Sequence, residues 1–552
     1  MLVRMKPNKD AVEGFGAGLE ALEPRKLLAF AGLPIQIGSN GADFGQKVAA
    51  TADGGFIAAG MFFGTVDFDP SAGTTALTSV SDTDIYIAKY SAAGALDWVR
   101  QIGGNGKSKR IKDQEKIIDI DSDPRRAGDL FIHGVSSDPK NAGEFVNDIA
   151  LDPSGDIVIS GEFIGKMTVT TLAGTQTFKT FDNDFYDAFV AKLDSSGQIK
   201  WFKAFGDRFT DTASAVAIDP SGNILVTGLF TRTVNFSPGS NTFIRNALGR
   251  ADGYAMKLTS GGAVQWVNQF GAGATDAPVR DAGNDITTDS AGNVYIAGQF
   301  GGNVDFDPGP GVFRIEARDL TDGVLIKYSP TGLFRAALPY AGKSYDALTR
   351  VQVDSDMNIY VAGYFQGEKF DVDPTSNVMN LEATKRKPSD SDPKFLDVFV
   401  EKLSRGAVEW VQRIAGTKAE FISDMQLDQN EQLVLAGSFY GNATFADGPA
   451  LQSVRNNDEF KDKNDADRKE SYDAFLWRLS SAGSTLFVTQ IGSEEDDFGV
   501  GVGISSDNSL LLTGRFDSVV DFDPGAGQKL FTGQGLADAY VAAFDQFGNA
   551  QI

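Results

Sequence analysis

The amino-acid sequence predicts an all-β fold: a seven-bladed β-propeller of four-stranded antiparallel blades, with the ring closed by N-terminal strand material. A hairpin pattern, seen as ASAVAIDPSGNILVTGLF at 213–230, returns about seven times along the chain. Each copy is followed by a second pair of strand patterns, so that one repeat holds four strands. A single repeat would leave two apolar faces exposed, whereas copies arranged in a ring bury both faces.

The first half of each repeat is a β-hairpin. At 213–230 two short apolar runs flank the turn Asp219-Pro220-Ser221-Gly222-Asn223, and Pro, Gly and Asn favour a tight reversal of the chain. The second run contains a glycine that recurs every 65 to 77 residues, apart from one gap of about 100. These glycines are Gly60, Gly161, Gly228, Gly298, Gly363, Gly437 and Gly514. Such a period is typical of solenoids and propellers.

A third strand begins with aspartate in every repeat and carries lysine in five of them. The aspartates are Asp84, Asp187, Asp252, Asp322, Asp397, Asp473 and Asp538, and the lysines are Lys89, Lys192, Lys257, Lys327 and Lys402. Because a catalytic residue normally occurs once, we expect these recurrent residues to fix the blades. The fourth strand carries Trp98, Trp201, Trp266 and Trp410, which we expect to pack between blades.

The complete repeat resembles the SBBP family of β-propeller repeats in exported bacterial proteins. The resemblance rests on D-x-x-G-N-x-[hydrophobic]-x-x-G-x-F followed by D-[AG]-[YF]-V-x-K-[LY], which returns in order over nearly all of residues 35–552. It implies a seven-bladed propeller at 30–552. An insertion at about 104–143 interrupts the repeats, and its part 116–134 echoes the hairpin pattern as a decayed half repeat.

Residues 1–29 fit no blade and are predicted to be a disordered leader. They contain the run Leu22 to Leu28 (LEPRKLL), which resembles the LEPR-XLL motif of large exported or surface proteins of some bacteria. The beginning of the chain lacks the apolar region of an ordinary cleavable signal peptide. The resemblance implies an extracellular or cell-surface location.

The two chain ends are predicted to complete the last blade together. Residues 34–38 (PIQIG) match the end of a fourth strand such as 99–103 (VRQIG), and the last repeat stops at 548–552, part of the way through its fourth strand. We therefore expect 33–38 to pair near 538–552. This pairing would remove the unpaired edge at which a ring could open.

Composition excludes several kinds of site. The chain has no cysteine, which excludes disulfides, thiol chemistry and sulfur-bound zinc, and it has no apolar run as long as a membrane span. Its formal net charge of −24 argues against nucleic acid as a partner, because phosphate binding needs a basic surface. A histidine-based triad would have to use His133, and G-x-S-x-G, phosphate-loop and H-E-x-x-H motifs are missing. The protein is expected to be a monomer.

Four pairs of aspartates, two residues apart, are candidate calcium ligands. In extended backbone both side chains of a pair point to the same side, and carboxylate oxygens suit calcium. The pairs are Asp67 and Asp69, Asp305 and Asp307, Asp371 and Asp373, and Asp521 and Asp523. The alternative is that they cap turns by accepting backbone N–H hydrogen bonds. Calcium is the one cofactor that the sequence suggests.

Two functions remain open. The first is an exported, non-enzymatic propeller that acts as a binding or structural module at the bacterial cell surface. The connections after the second strands and between blades vary in length and emerge on one face, with charged stretches at 382–395 and 455–471, so a surface glycan or protein ligand is expected there. The alternative is a hydrolase or lyase that cleaves polysaccharide through carboxylates at the channel mouth. Carboxyl groups with shifted pKa in only some blades would favour the enzyme.

Overall fold

The computed structural model describes residues 33–80, 83–104, 143–181, 185–238, 242–273, 280–367, 369–375, 377–384, 396–416, 418–454, 471–525 and 527–551. In these ranges the chain forms β-strands, and none of it forms a helix that could cross a lipid bilayer. Several predicted features lie outside the described residues. They are the leader with its LEPRKLL run, nearly all of the 104–143 insertion with His133, and most of the stretches 382–395 and 455–471.

The strands form seven four-stranded antiparallel blades, which confirms the predicted seven-bladed β-propeller. From the innermost strand outward, the blades are as follows: blade 1, β2 (Phe44–Ala50), β3 (Phe56–Phe62), β6 (Asp84–Tyr90) and β7 (Leu96–Gly104); blade 2, β8 (Phe145–Leu151), β9 (Ile157–Ile164), β12 (Tyr186–Leu193) and β13 (Ile199–Phe205); blade 3, β14 (Ala215–Ile218), β15 (Ile224–Phe230), β18 (Asp252–Leu258) and β19 (Val264–Phe270); blade 4, β20 (Ala282–Thr288), β21 (Val294–Phe300), β24 (Asp322–Tyr328) and β25 (Phe334–Tyr340); blade 5, β26 (Ala347–Val353), β27 (Ile359–Phe365), β30 (Asp397–Ser404) and β31 (Ala407–Gly416); blade 6, β32 (Glu420–Leu427), β33 (Leu433–Tyr440), β36 (Tyr472–Leu479) and β37 (Thr485–Ile491); blade 7, β38 (Phe498–Ile504), β39 (Leu510–Phe516), β42 (Asp538–Phe544) and β1 (Ile35–Ile37). The first strands of neighbouring blades lie side by side around a central channel.

A hairpin follows the second strand of every blade. The hairpins are β4 (Thr65–Asp67) with β5 (Ala76–Thr78), β10 (Lys166–Thr171) with β11 (Gly174–Lys179), β16 (Thr233–Asn235) with β17 (Ile244–Asn246), β22 (Asn303–Asp305) with β23 (Arg314–Glu316), β28 (Phe370–Asp371) with β29 (Asn380–Leu381), β34 (Asn442–Phe445) with β35 (Ala450–Gln452), and β40 (Val519–Asp521) with β41 (Leu530–Thr532). The hairpins of blades 2 and 6 also pair with β7 and β31, the outermost strands of the preceding blades. This pairing extends the sheets of blades 1 and 5 to six strands and was not predicted.

The core lies between neighbouring blades, where the apolar faces of two sheets pack together. At the junction of blades 7 and 1, Phe56 and Tyr86 pack with Ile35, Leu511 and Val541. These five side chains are at most 2% exposed. Burying one such side chain contributes about 1.5–3 kcal/mol, so contact between blades stabilises what a single blade would leave exposed.

The recurrent glycine of the second strand is explained by a bulge in the first strand. In six blades the pairing of these two strands shifts by one residue, for example between Gly45 and Lys47. The shift places a first-strand carbonyl against the glycine, because a Cβ on Gly60 would lie 1.9 Å from the oxygen of Phe44. In blade 3, whose strand pairing shows no shift, a Cβ on Gly228 would likewise lie 2.1 Å from the oxygen of Thr212. No side chain fits at these distances, so glycine recurs at this position in every blade.

The two chain ends complete blade 7, as predicted. β1 pairs antiparallel with β42, and Ile35 lies opposite Val541. The C-terminal residues pair with the other half of β42, because the backbone N–H of Gln551 donates to the carbonyl of Ala543 at 2.8 Å. The outermost strand of blade 7 is therefore built from both ends of the chain, and it closes the ring.

Candidate functional site

The blades differ in charge along the central channel. At the first-strand position just after the bulge, blades 1 to 7 carry Lys47, Asp148, Ala215, Asp285, Arg350, Asp424 and Gly501. The first six of these residues line a cavity of about 200 Å³. Three carboxylates and two cations therefore break the symmetry of the ring at this level of the channel.

Each channel aspartate forms a hydrogen bond with the next blade. The carboxylates accept backbone N–H hydrogen bonds across the blade junction, Asp148 from Val216 at 2.9 Å, Asp285 from Val351 at 2.8 Å and Asp424 from Val502 at 3.0 Å. The aspartates belong to blades 2, 4 and 6, and their donors belong to blades 3, 5 and 7. The bonds join the innermost strands in pairs, which gives these carboxylates a structural role.

Two cations compensate part of the carboxylate charge in the channel. Lys47 Nζ lies 3.7 Å from Asp148 Oδ1 and 3.4 Å from Asp424 Oδ1. Burial raises the pKa of Asp285 to about 7, although the nearby Arg350 guanidinium acts to lower it. Burial also raises the pKa of Asp148, against the opposing effect of Lys47. In the channel, carboxyl groups with a raised pKa thus occur in only some blades, as the enzyme hypothesis requires, yet each is bonded to a neighbouring blade.

A second set of buried acidic residues, which the sequence interpretation missed, lies at or shortly before the start of the first strand of each blade. They are Asp43, Glu144, Asp211, Asp281, Asp346, Glu420 and Asp497, none of them more than 5% exposed. The Asp211 carboxylate accepts backbone N–H bonds from Thr231 and Asp207, both at 2.7 Å. The available signal was an acidic residue 17 positions before every recurrent glycine. The regularity indicates that these residues tie loops to the blade.

The aspartates that open the third strands lie close to this second set. Burial raises the pKa of Asp187 to about 8, and the neighbouring Asp211 raises it as well. The glycine after the fourth strand packs against the same aspartate, because a Cβ on Gly206 would lie 2.4 Å from Asp187 Oδ1. The close contact of the aspartate with the glycine, between the third and fourth strands of one blade, therefore explains why both residues recur.

We expect Gly206→Ala to destabilise the propeller by about 1–3 kcal/mol, since the added methyl group would be forced against Asp187. Gly261→Ala is the matched control: the nearest atom to its Cβ would be Thr259 Oγ1 at 3.8 Å, so its effect should stay within about 0.5 kcal/mol. Urea unfolding of both variants measures the difference. Equal unfolding midpoints would contradict the packing argument.

In blades 1, 2, 3 and 6 the regular cation of the third strand pairs with an aspartate of the first turn, whereas Lys402 of blade 5 pairs with Glu409. Lys257 Nζ lies 2.7 Å from Asp219 Oδ2. In blade 6, Arg478 takes the place of the lysine and pairs with Asp428. The expectation that these residues fix the blades is consistent with this geometry, because the pair ties the third strand to the turn between the first two.

The tryptophans of the fourth strands pack between blades, as expected. Each indole Nε1 donates to a carbonyl in the turn between the third and fourth strands of the next blade: Trp98 to Ser195 at 3.2 Å, Trp201 to Ser260 at 3.1 Å, Trp266 to Pro330 at 3.3 Å and Trp410 to Ser481 at 3.0 Å. The indole thus satisfies its polar atom while its ring joins two blades.

The four predicted calcium pairs lie inside the hairpins of blades 1, 4, 5 and 7, the first aspartate at the end of the first hairpin strand and the second in the turn. Asp67 Oδ1 accepts backbone N–H bonds from Asp69 at 3.1 Å and Thr75 at 2.8 Å. Equivalent turn-capping bonds are made by the other pairs, Asp305 with Asp307, Asp371 with Asp373, and Asp521 with Asp523. In the described part of the chain, no three His, Cys, Asp or Glu side chains group as metal ligands. Calcium binding at these pairs stays a prediction.

Comparison with known families supports the propeller repeat. A family model described as a β-propeller repeat (SBBP) matches residues 265–299. The match runs from β19, with Trp266, to β21, with the recurrent Gly298. It agrees with the resemblance on which the predicted fold rested.

Among curated proteins, an uncharacterized WD repeat-containing protein of Acanthamoeba polyphaga mimivirus is 20% identical over 474 residues, which make up 75% of this chain and 32% of that protein. This chain therefore spans about a third of that relative's length.

Several solved structures are similar at low identity. Sqt1 from Chaetomium thermophilum is 10% identical, with 92% of this chain and 87% of that chain covered and a TM-score of 0.37. A protein of unknown function from Bacteroides caccae is 11% identical, with 73% and 89% covered and a TM-score of 0.30. A polysaccharide lyase, PL25 ulvan lyase, is 12% identical, with 74% and 93% covered and a TM-score of 0.34. Likeness at these TM-scores carries no functional argument. What the strand topology and the family-model match give together is a chain of β-propeller repeats closed into one seven-bladed ring.

Proposed function

We propose that this chain is an exported, non-enzymatic β-propeller that serves as a binding or structural module at the bacterial cell surface. The observation that carries the proposal is that the channel carboxylates Asp148, Asp285 and Asp424 already bond to neighbouring blades. The channel cavity of about 200 Å³ also falls below the roughly 300–1,000 Å³ of ordinary ligand pockets. The channel is therefore better suited to holding the ring together than to cleaving a polymer.

We place the ligand of this module on the face of the propeller that carries the hairpins. This face is called the hairpin face. Short turns such as 219–223 join the strands on the opposite face, whereas the hairpins and the crossings between blades emerge on the hairpin face. Varied segments on a rigid frame are typical of binding surfaces. Export is supported by the resemblance of the LEPRKLL run to the LEPR-XLL motif.

The absence of cysteine permits a direct test of the ligand face. Thr532→Cys, in the blade 7 hairpin, and Ser221→Cys, in a tight turn of the opposite face, each give a single thiol for attachment of a polyethylene glycol chain. Binding to arrays of bacterial surface glycans and surface proteins is then measured. We expect the label at position 532 to block binding and the label at position 221 to leave it. The reverse pattern, or no binding by the unlabelled protein, would contradict the proposal.

One observation favours the alternative of a polysaccharide hydrolase or lyase. The Asp285 carboxyl group lies in the channel with its pKa raised to about 7 by burial, and the equivalent positions of blades 3 and 7 hold Ala215 and Gly501. An enzyme that acts through the channel carboxylates would cleave acidic polysaccharide, and Asp285→Asn would abolish this cleavage. The binding-module proposal expects no turnover by either protein in a screen of acidic polysaccharides.

Calcium binding can be separated from turn capping by replacing aspartate with asparagine. Asn235 shows that capping needs no charge, because its Oδ1 accepts the backbone N–H of Ser237 at 3.0 Å. If the aspartate pairs bind calcium, Ca²⁺ raises the melting temperature of the unaltered protein, and the double change of Asp305 and Asp307 to Asn reduces this rise. The melting temperature is measured with and without Ca²⁺. No rise in the unaltered protein would end the calcium prediction.

A further inference from the structure

We propose that the ligand on the hairpin face is an uncharged saccharide chain, bound on four aromatic rings at the junction of blades 6 and 7. This assignment rests on the binding function proposed above. The rings belong to Phe421, Tyr440, Tyr472 and Phe498, and together they are called the aromatic platform. Each residue lies at or next to a strand end that leads to the hairpin face: β32 and β38 begin there, β33 ends there, and β36 begins there.

The four rings support one another. The centroid of the Tyr472 ring lies 5.0 Å from those of Tyr440 and Phe498 and 5.8 Å from that of Phe421. The Phe421 and Phe498 rings are 6.0 Å apart and nearly parallel, with 24° between their planes. All four side chains are half-buried, so each ring is held on one side and keeps part of its surface accessible. Partly exposed apolar side chains that lie next to one another on a protein surface are candidates for an interaction site, and these four rings form such a group.

Aromatic residues at the positions of Tyr440 and Tyr472 occur together in one blade, although the position of Phe421 and Phe498 is also aromatic in blades 1 and 2. At the position of Tyr472 the other blades carry Thr83, Tyr186, Ala251, Thr321, Leu396 and Ala537, and at that of Tyr440 they carry Phe63, Ile164, Thr231, Gly301, Gln366 and Asp517. Blade 6 has an aromatic residue at both positions. Residues that recur in every blade were assigned to structure, and by the same reasoning a combination found once is the better candidate for a ligand site.

Arg515 stacks on one ring of the platform, that of Phe498. Its guanidinium carbon lies 4.7 Å from the Phe498 ring centroid and 5.1 Å from that of Phe44, and the residue is only 4% exposed. The position is the variable one in the G-x-F pattern, where blade 1 has Met61 and blade 2 has Glu162. A cation in contact with two rings restrains their orientation, so the Phe498 ring is held in place before a ligand arrives.

The charges around the platform indicate an uncharged ligand. Lys418 Nζ lies 5.5 Å from the Tyr440 ring centroid, which disfavours a cationic ligand there. The acidic Asp496 is also close, since its carboxylate accepts the backbone N–H of Tyr472 at 3.0 Å, and the net charge of −24 disfavours an anionic ligand. A saccharide combines an apolar C–H face, which packs on aromatic rings, with hydroxyl groups that bond to both kinds of charged side chain.

The test is titration calorimetry of the full chain with neutral glucan and mannan oligosaccharides, with alginate as the acidic comparison and polylysine as the basic peptide comparison. We expect a neutral oligosaccharide to bind, and Tyr472→Ala or Phe498→Ala to weaken binding at least tenfold, with Tyr472→Trp retaining it. Phe209→Ala is the matched control, because Phe209 is also a half-buried ring on the hairpin face, 4.9 Å from Phe185. Its binding should equal that of the unaltered protein.

A second measurement uses the unaltered protein and so does not depend on the variants folding. Saturation-transfer NMR, with saturation of the aromatic protons, should transfer signal to the sugar C–H protons. Binding of alginate or polylysine alone, or neutral-sugar binding that Tyr472→Ala leaves intact in a folded protein, would overturn the saccharide platform. Either result would leave the binding-module function standing if the label at position 532 still blocks binding, so the two proposals fail separately.

Discussion

A variant that lacks residues 33–38 is expected to lose the single cooperative unfolding transition of the ring. Leu33, Ile35 and Ile37 are at most 2% exposed, and burial of three such side chains contributes about 5–9 kcal/mol. That amount is comparable to the total stability of an ordinary domain, about 5–15 kcal/mol. The deletion also leaves half of β42 as an unpaired edge, from which blades can separate in turn. Differential scanning calorimetry should show a broad transition at lower temperature.

The matched control is deletion of residues 1–32, which ends just before the closing strand and should leave the transition unchanged. Addition of a synthetic peptide of residues 33–38 should partly restore the transition of the shortened protein, since the peptide can occupy the same edge of β42. Limited proteolysis gives an independent measure, with early cleavage expected in blade 7. A shortened protein that unfolds at the same temperature as the full chain would show that closure by β1 does not stabilise the ring.

The local half of the fold was predictable because turn chemistry fixes strand pairing at short range. The turn at 219–223 was predicted from Pro, Gly and Asn, and it places Ile218 opposite Ile224 and Ala215 opposite Thr227 in the structure. Ring closure was also predictable, since a fourth-strand ending at 34–38 and an unfinished repeat at 548–552 complement each other.

The channel charges could not be predicted from alternation along the strand. A bulge inserts one residue in the first strand, so the faces of all later residues exchange relative to a regular pattern. Lys47 and Asp148 therefore face the channel only because the bulges precede them. The pairing of β10 with β7 could not be predicted for a different reason. It joins two blades, and a local sequence pattern contains no information about which strand of another blade a hairpin will pair with.

The aromatic platform was predictable in part: its residues were visible in the sequence, but their contact was not. Its residues adjoin motifs that the sequence made visible, since Tyr472 precedes the Asp473 of a third strand and Tyr440 follows the G-x-F of a second strand. Their meeting depends on the contact between blades 6 and 7, which brings Phe498 to within 5.0 Å of Tyr472. The sequence identifies the unusual side chains, and the packing of the blades in the propeller determines which of them come into contact.

Glu401 is expected to make the protein less stable as the pH rises. It stands in the third strand of blade 5, where the other blades carry Ala88, Ala191, Met256, Ile326, Trp477 and Ala542. Glu401 is fully buried, and burial raises its pKa from 4.5 to about 8, with Tyr340 lowering and Asp373 raising the value. Between these two values the folded protein keeps a proton that the unfolded chain has released. The free energy of unfolding therefore falls from pH 4.5 to pH 8, by about 5 kcal/mol in total for this group.

The variant Glu401→Gln has no ionisable group at this position and should lose this part of the pH dependence. Other buried carboxyl groups remain in both proteins, so the informative quantity is the difference in unfolding free energy between variant and unaltered protein. We expect that difference to favour the variant increasingly as urea denaturation is repeated from pH 5 to pH 9. A pH-independent difference for Glu401→Gln would mean that the carboxyl group ionises without cost in the folded ring, and that the interior between blades 4 and 5 is more polar than its packing indicates.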